Sequence, residues 1–204
     1  MYVGRRMTRK VVTASPGDPV ARAAALMKEH RIHHLPVVSE DALAGIVTDT
    51  DIRNAAVGEP AAAGSRTVGE IMTRDPVTVG AWDTVEDALL VLHRRRFGAL
   101  PVVEGRRLVG IISKTDVLAA FIDTLDVEGV GVRLEVLLPA DTASLLRLVR
   151  AVGETGAELK SLVVSPFRGG FVAFLRLATI DVAAVRGRLK GAGFAIPELS
   201  DFLD

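Results

Sequence analysis

Apolar positions along the chain change their spacing in a fixed order, and that order is written twice. Val20, Ala24 and Met27 fall at i, i+4 and i+7, as do Val85, Leu89 and Leu92. Each set predicts a helix with one buried stripe. Ahead of each stripe a β-branched run, Val11-Val12-Thr13 or Val77-Thr78-Val79, reads as a short strand. Behind it, Leu35-Pro36-Val37-Val38 or Leu100-Pro101-Val102-Val103 opens a second apolar strand. A turn (Ser39-Glu40-Asp41 or Glu104-Gly105-Arg106) leads to a third, Leu43–Val47 or Leu108–Ile112. A further helix begins at Thr48 or Ser113, and the second copy's continues through Val117, Phe121 and Leu125. Asp18 before Pro19, and Asp83 with Glu86 three residues on, are predicted to cap the first helix of each copy.

The two copies are a duplication. A shift of 65 positions aligns Tyr2–Ile52 with Thr67–Val117 without a gap, and more than a third of the pairs are identical. Chance would give about 3 to 4 matches at average residue usage. A β-α-β-β-α unit of this size cannot bury its sheet alone, so the two are expected to pack about a pseudo-twofold axis. Residues 55–66 are small and turn-prone and read as the linker. Thr67 and Glu70 beyond it have capping-box spacing.

The last third follows another order. Val132–Leu138 alternates as a strand, and Asp141 precedes a helix with Leu145, Leu148 and Val152 on one face. Glu158–Ser165 and Gly170–Ala178 read as strands joined by Pro166-Phe167-Arg168-Gly169. Asp181–Lys190 reads as a helix, and Gly191–Ile196 leads to a last strand. This β-α-β-β-α-β order is ferredoxin-like. The fold class is thus α+β: residues 1–56 and 67–126 as repeats, 57–66 as linker, and 127–204 as the third domain.

Composition narrows the function. With 49% hydrophobic and 25% charged residues the 204-residue chain is globular. Its 25 basic and 25 acidic side chains cancel, giving no bulk attraction to nucleic acid or an anionic membrane. There is no cysteine, hence no disulfide, thiolate metal site or cysteine nucleophile. No apolar run is long enough to span a membrane and no signal-peptide pattern opens the chain, so a cytoplasmic location is expected. The sequence holds no Gly-x-Ser-x-Gly, P-loop or His-Glu-x-x-His, and an enzyme is not expected.

Candidate chemistry lies where each third strand meets its helix, in Gly45-Ile46-Val47-Thr48-Asp49-Thr50-Asp51 and Gly110-Ile111-Ile112-Ser113-Lys114-Thr115-Asp116. A strand glycine lets another group approach the backbone. Hydroxyls and free N–H groups at a helix start can hold a phosphate, and a carboxylate can accept from both hydroxyls of a ribose. The same spacing also serves as a capping box. Aspartate where a box prefers Glu or Gln, a Thr just before it, and matching places in both copies favour the ligand reading over the box.

The repeat, its Leu-Pro-Val-Val and its Gly-x-x-Thr/Ser-x-Thr-Asp ending resemble CBS domains, over about residues 1–125. The resemblance implies a paired Bateman module that binds an adenine nucleotide (AMP, ADP or ATP) as a regulatory ligand between the repeats. Carried across, Thr48, Thr50 and Asp51 form one half-site and Ser113, Thr115 and Asp116 the other. Adenine would lie near Val12-Thr13 and Val77-Thr78. His33 and His34, matched by Gly98 and Ala99, stand where nucleotide-sensing relatives carry a basic pair that reaches phosphates. Their own sequence context also fits surface or core histidines, and with His30 they lack an acidic partner at metal-site spacing. Arg94-Arg95-Arg96 reads as a solvated helix end. Trp82 reads as an exposed turn residue or a dimer contact.

The third domain resembles an ACT domain, a regulatory unit that pairs with copies of itself and often binds amino acids. Its first strand-to-helix turn, Pro139-Ala140-Asp141-Thr142-Ala143, lacks the expected glycine, so a dimerising role is the equal alternative to a bound amino acid. The domain order resembles the bacterial acetoin-utilisation regulatory proteins. That implies a link to acetoin or acetyl-CoA metabolism, a homodimer or higher oligomer, and an unidentified enzyme partner. The alternative is a structural scaffold with empty clefts.

Overall fold

The computed structural model describes residues 1–58 and 66–197, and the chain divides into two compact units, Met1–Ala120 and Phe121–Asp204. In the first unit a short 3-10 turn, Val3–Arg5, precedes α1 (Val20–His30), β1 (His34–Ser39), β2 (Ala42–Thr48) and α2 (Asp49–Gly58). The second copy repeats this as α3 (Val68–Ile71), β3 (Thr73–Arg74), β4 (Val79–Gly80), α4 (Val85–Arg94), β5 (Ala99–Glu104), β6 (Arg107–Ser113) and α5 (Lys114–Thr124). Part of the expected linker, residues 59–65, lies outside the described residues.

The hairpins β1–β2 and β5–β6 are antiparallel, and each breaks register at its second valine, Val37/Val38 and Val102/Val103. They join into one sheet through Ala42 and Arg107. The Met-Thr segments are exchanged: Thr8 bridges Ile111 of the second copy, while Thr73 pairs with Ile46 of the first. The bridge of Tyr2 to Thr84 recurs as that of Thr67 to Pro19. Contacts that occur twice with roles reversed are what a pseudo-twofold axis requires.

That exchange explains the strand glycines. A Cβ on Gly45 would meet the Met72 sulfur and the Thr73 carbonyl, and one on Gly110 would meet Met7 and the Thr8 carbonyl. The group that approaches each glycine is therefore the other repeat's methionine.

Several expectations shift on contact with the structure. The stripes are Val20, Ala23, Met27 and Val85, Ala88, Leu92, while Leu89 is 37% exposed. The helix faces the sheet one residue earlier than an i+4 step places it. Asp18 does not cap α1: Pro19 is at the N-cap, and the Asp18 carboxylate accepts from the Ser15 amide and pairs with Arg22. Likewise Asp83 accepts from the Gly80 amide, and Thr84 caps α4 with Asp87. In both copies the aspartate closes the turn before the helix. Val11-Val12-Thr13 forms no strand, Ala14 making a single bridge to Val37, and the second copy keeps only Val79–Gly80. At Thr67 the carboxylate of Glu70 takes the backbone amide, as the spacing predicts.

The second unit holds β7 (Val132–Leu138), α6 (Thr142–Gly153), β8 (Glu158–Phe167), β9 (Gly170–Ala178) and α7 (Val182–Gly191), with sheet order β7-β9-β8, all antiparallel. Asp141 and Asp181 cap α6 and α7 by accepting from the Ser144 and Ala184 amides. Leu134, Val136, Leu148, Leu175, Leu177 and Leu189 form the core. β8 runs to Phe167, so the turn narrows to Arg168-Gly169, both at positive φ. The expected last strand is a single bridge, Ala195 to Leu137, within the described residues.

Candidate functional site

Exchange of segments brings each Thr/Ser-x-Thr ending against the opposite repeat. Ser113, Thr115 and Asp116 line a cavity of about 340 Å³ together with Val12, His33 and His34 of the first repeat. Thr48 and Thr50 line a second, of about 390 Å³, together with Pro76, Val77 and Phe97 of the second repeat. The structure thus gathers most of the candidate residues into two equivalent clefts.

Three candidates lie elsewhere. Thr13 faces a separate polar opening beside Arg9 and Asp41. Thr78 lines neither cleft. Asp51 is absent from the wall of the Thr48 cleft, and its carboxylate turns back onto the helix start. The Thr48 amide and hydroxyl donate to Asp51 Oδ2 at 2.8 and 2.7 Å, and the Asp51 amide returns a bond to Thr48 Oγ1 at 3.2 Å. Ser113 and Asp116 repeat these three bonds at the same lengths. Both endings are therefore capping boxes, built with aspartate where glutamate or glutamine is usual, and here the hydroxyl donates to it as well. Each cap occupies Oδ2; among the described residues no hydrogen bond is recorded to either Oδ1.

His34 lines both clefts, and burial lowers its pKa from 6.5, opposed by Asp49 and Asp51 and aided by His33 and Lys114. An imidazole that is neutral at pH 7 changes the expected part of the histidines: His34 offers a phosphate a hydrogen bond and no charge. His33 is exposed, with Nδ1 at 3.4 Å from Asp49. Asp49 also takes Arg53 at 2.7 Å, and that hydrogen bond lowers its pKa below the usual carboxylate range. Arg53 donates as well to the Thr50 hydroxyl, at 3.0 Å.

Other cleft residues carried no signal in a single copy. Lys10 and Arg31 line the Asp116 cleft; Asp49, Asp75 and Arg96 line the Thr48 cleft. Arg96 is therefore a cleft residue, while Arg94 and Arg95 are exposed as a solvated helix end should be. Arg31 and Arg96 are equivalent in the repeat and both adopt positive φ, 53° and 58°. Comparison of the copies position by position would have found them. Trp82, 80% exposed, packs edge-on against Tyr2 at 5.8 Å.

The family model for the CBS domain matches residues 3–58 and 68–123. The CBS domain-containing protein YhcV of Bacillus subtilis is 36% identical over 112 residues, 54% of this chain and 78% of YhcV. An inosine-5'-monophosphate dehydrogenase of Korarchaeum cryptofilum is 42% identical over 110 residues, 53% of this chain. The matched region is 22% of that enzyme, so the chain spans about a fifth of its length. Among solved structures, CBSX2 in complex with AMP matches with a TM-score of 0.55 and 29% identity, covering 60% of this chain and 96% of that one. The CBS domain pair of MJ0100, in complex with 5'-methylthioadenosine and S-adenosyl-L-methionine, gives 0.54 and 30%, covering 59% and 95%. A Vibrio cholerae protein named for acetoin utilization, AcuB, gives 0.58 and 28%, covering 63% and 95%. The chain belongs to the CBS-domain family, with two tandem copies that build one α+β CBS pair.

Proposed function

We propose that this protein is a non-catalytic sensor whose CBS pair binds an adenine nucleotide of the AMP, ADP or ATP class in the two clefts. The observation that carries this reading is the duplicated geometry: each cleft sets a Thr/Ser-x-Thr helix start against an apolar segment of the other repeat. Hydroxyls and helix-start amides suit phosphate and ribose, and Val12 or Val77 offers an apolar wall to the base. Oδ1 of Asp116 and of Asp51 is the acceptor assigned to the ribose. AMP in CBSX2 and adenosyl ligands in MJ0100 support the ligand class.

We assign residues 127–204 to an ACT-like domain, supported by the β-α-β-β-α order and antiparallel pairing of the second unit. It serves to pair copies of the chain, so the working form is a cytoplasmic homodimer or higher oligomer that acts on an enzyme partner. Likeness to the Vibrio cholerae protein supports a place in acetoin or acetyl-CoA metabolism. Among the described residues no helix is long and apolar enough to cross a membrane. The second reading, a CBS-ACT scaffold with empty clefts, is favoured by the capping boxes, which give Asp51 and Asp116 a structural task already.

Calorimetry and thermal melts on nucleotide-stripped protein test the choice. AMP at 100 times its dissociation constant should stabilise the fold by about 2.7 kcal/mol. Absence of both heat and thermal shift with AMP, ADP, ATP and S-adenosylmethionine would leave the scaffold.

A further inference from the structure

The two clefts carry opposite charges at the same two positions. In the 65-residue repeat Lys10 corresponds to Asp75, and Asp49 corresponds to Lys114. Exchange of segments then collects each sign in one place. Lys10 lines the cleft of Ser113 and Asp116, and Lys114 opens the helix directly after Ser113. Asp75 lines the other cleft together with Asp49. Asp116 in the first cleft and Arg53, paired with Asp49 of the second, reduce this contrast without reversing it. Arg31 in the first cleft is matched by Arg96 in the second, and His34 is shared by both. Arg53 hydrogen-bonds Asp49 and keeps that carboxyl ionised, whereas no such partner of Asp75 is recorded among the described residues. His33, exposed, lies in the lysine cleft.

We propose, resting on the adenosyl-binding reading above, that the clefts take different ligand classes: the lysine cleft an adenosine bearing a 5'-phosphate, the Asp49–Asp75 cleft an adenosine bearing none. Lys10 in the cleft wall, with Lys114 at the helix start beside it, attracts a phosphate dianion where Asp49 and Asp75 repel it. Like charges a few ångströms apart in a partly solvated cleft change affinity by about tenfold or more. A fold that reads two adenosyl ligands at once can report the balance between a phosphorylated and an unphosphorylated form.

The test uses the nucleotide-stripped full chain, with AMP and 5'-methylthioadenosine as probes in titration calorimetry. AMP should fill one site per chain, and 5'-methylthioadenosine should still bind once per chain when AMP is saturating. Lys10→Asp with Lys114→Asp should weaken AMP by about tenfold or more and keep 5'-methylthioadenosine. Asp49→Lys with Asp75→Asn, an asparagine that tolerates the positive φ of 44° there, should raise AMP to two sites per chain. Two AMP sites of similar affinity in the unaltered chain overturn the proposal, as does competition of both probes for a single site. Either result leaves adenosyl binding intact. If neither probe binds, the sensor reading itself fails, and this inference with it.

Discussion

The imidazole of His34 lies over Gly98, in the space where a side chain at that position would begin. The contact joins the first repeat to the second at the wall between the clefts, since both residues line both cavities. Gly98→Ala should therefore displace His34. The expected loss is about 1–3 kcal/mol, the range for adding a methyl to a packed site. Urea unfolding of Gly98→Ala, His34→Ala and the double variant measures it. The two single losses should exceed the double loss, because removing the ring makes room for the methyl. Simple addition would mean that the two residues do not press on each other.

His34 also gives the fold a pH dependence of predictable sign. Burial lowers its pKa in the folded state from 6.5, so the unfolded chain takes up the proton first as pH falls. Stability from the neutral imidazole is complete above about 6.5 and is lost as pH falls from there through the lower folded value. Asp49 and Asp51, which pull the other way, are outweighed by burial. Urea midpoints at pH 7.5 and 5.5 should separate more for the unaltered chain than for His34→Gln. Equal separations would place the proton uptake on other groups.

Aspartates of the two caps have matching bonds and unequal surroundings. Asp51→Ala and Asp116→Ala should each lower ligand-free stability by about 1 kcal/mol, the usual cost of a lost helix cap. Asp116 lines the lysine cleft, the one assigned to AMP, and Asp51 belongs to the helix start of the other. The thermal shift produced by AMP should therefore shrink in Asp116→Ala and persist in Asp51→Ala. An unchanged AMP shift in both variants would return both carboxylates to a capping role alone.

The duplication was the most legible feature of the chain, because identical residues at one fixed offset imply identical local structure. The β-hairpins and the elements of the last third followed, from the apolar alternation of Val132–Val136 and the apolar run Phe171–Leu175. Helix starts were less legible. Asp18 and Asp83 are good caps by type, but each is one of several polar residues in a row, and spacing cannot say which one meets the first free amide. The clefts were half visible. Thr48, Ser113 and their neighbours stood out as a motif, whereas Lys10, Asp75 and Phe97 join them only through the crossing of segments between repeats. That crossing is a long-range contact, and no local pattern encodes it.

Arg31 is a cleft residue in a conformation that costs energy. It follows α1 with φ 53°, ψ 44°, its amide donating to the Lys28 and Met27 carbonyls in the way a helix-ending glycine would. A side chain in this left-handed region costs about 1–2 kcal/mol relative to its preferred regions, and glycine escapes that cost. Arg31→Gly should therefore hold or raise ligand-free stability. The same change removes a cation from the lysine cleft, so AMP should bind more weakly, by about tenfold for a charge facing a phosphate. Melts without ligand and calorimetry with AMP read the two effects separately. If Arg31→Gly lowers stability and leaves AMP affinity unchanged, the guanidinium packs against the fold and does not serve the cleft.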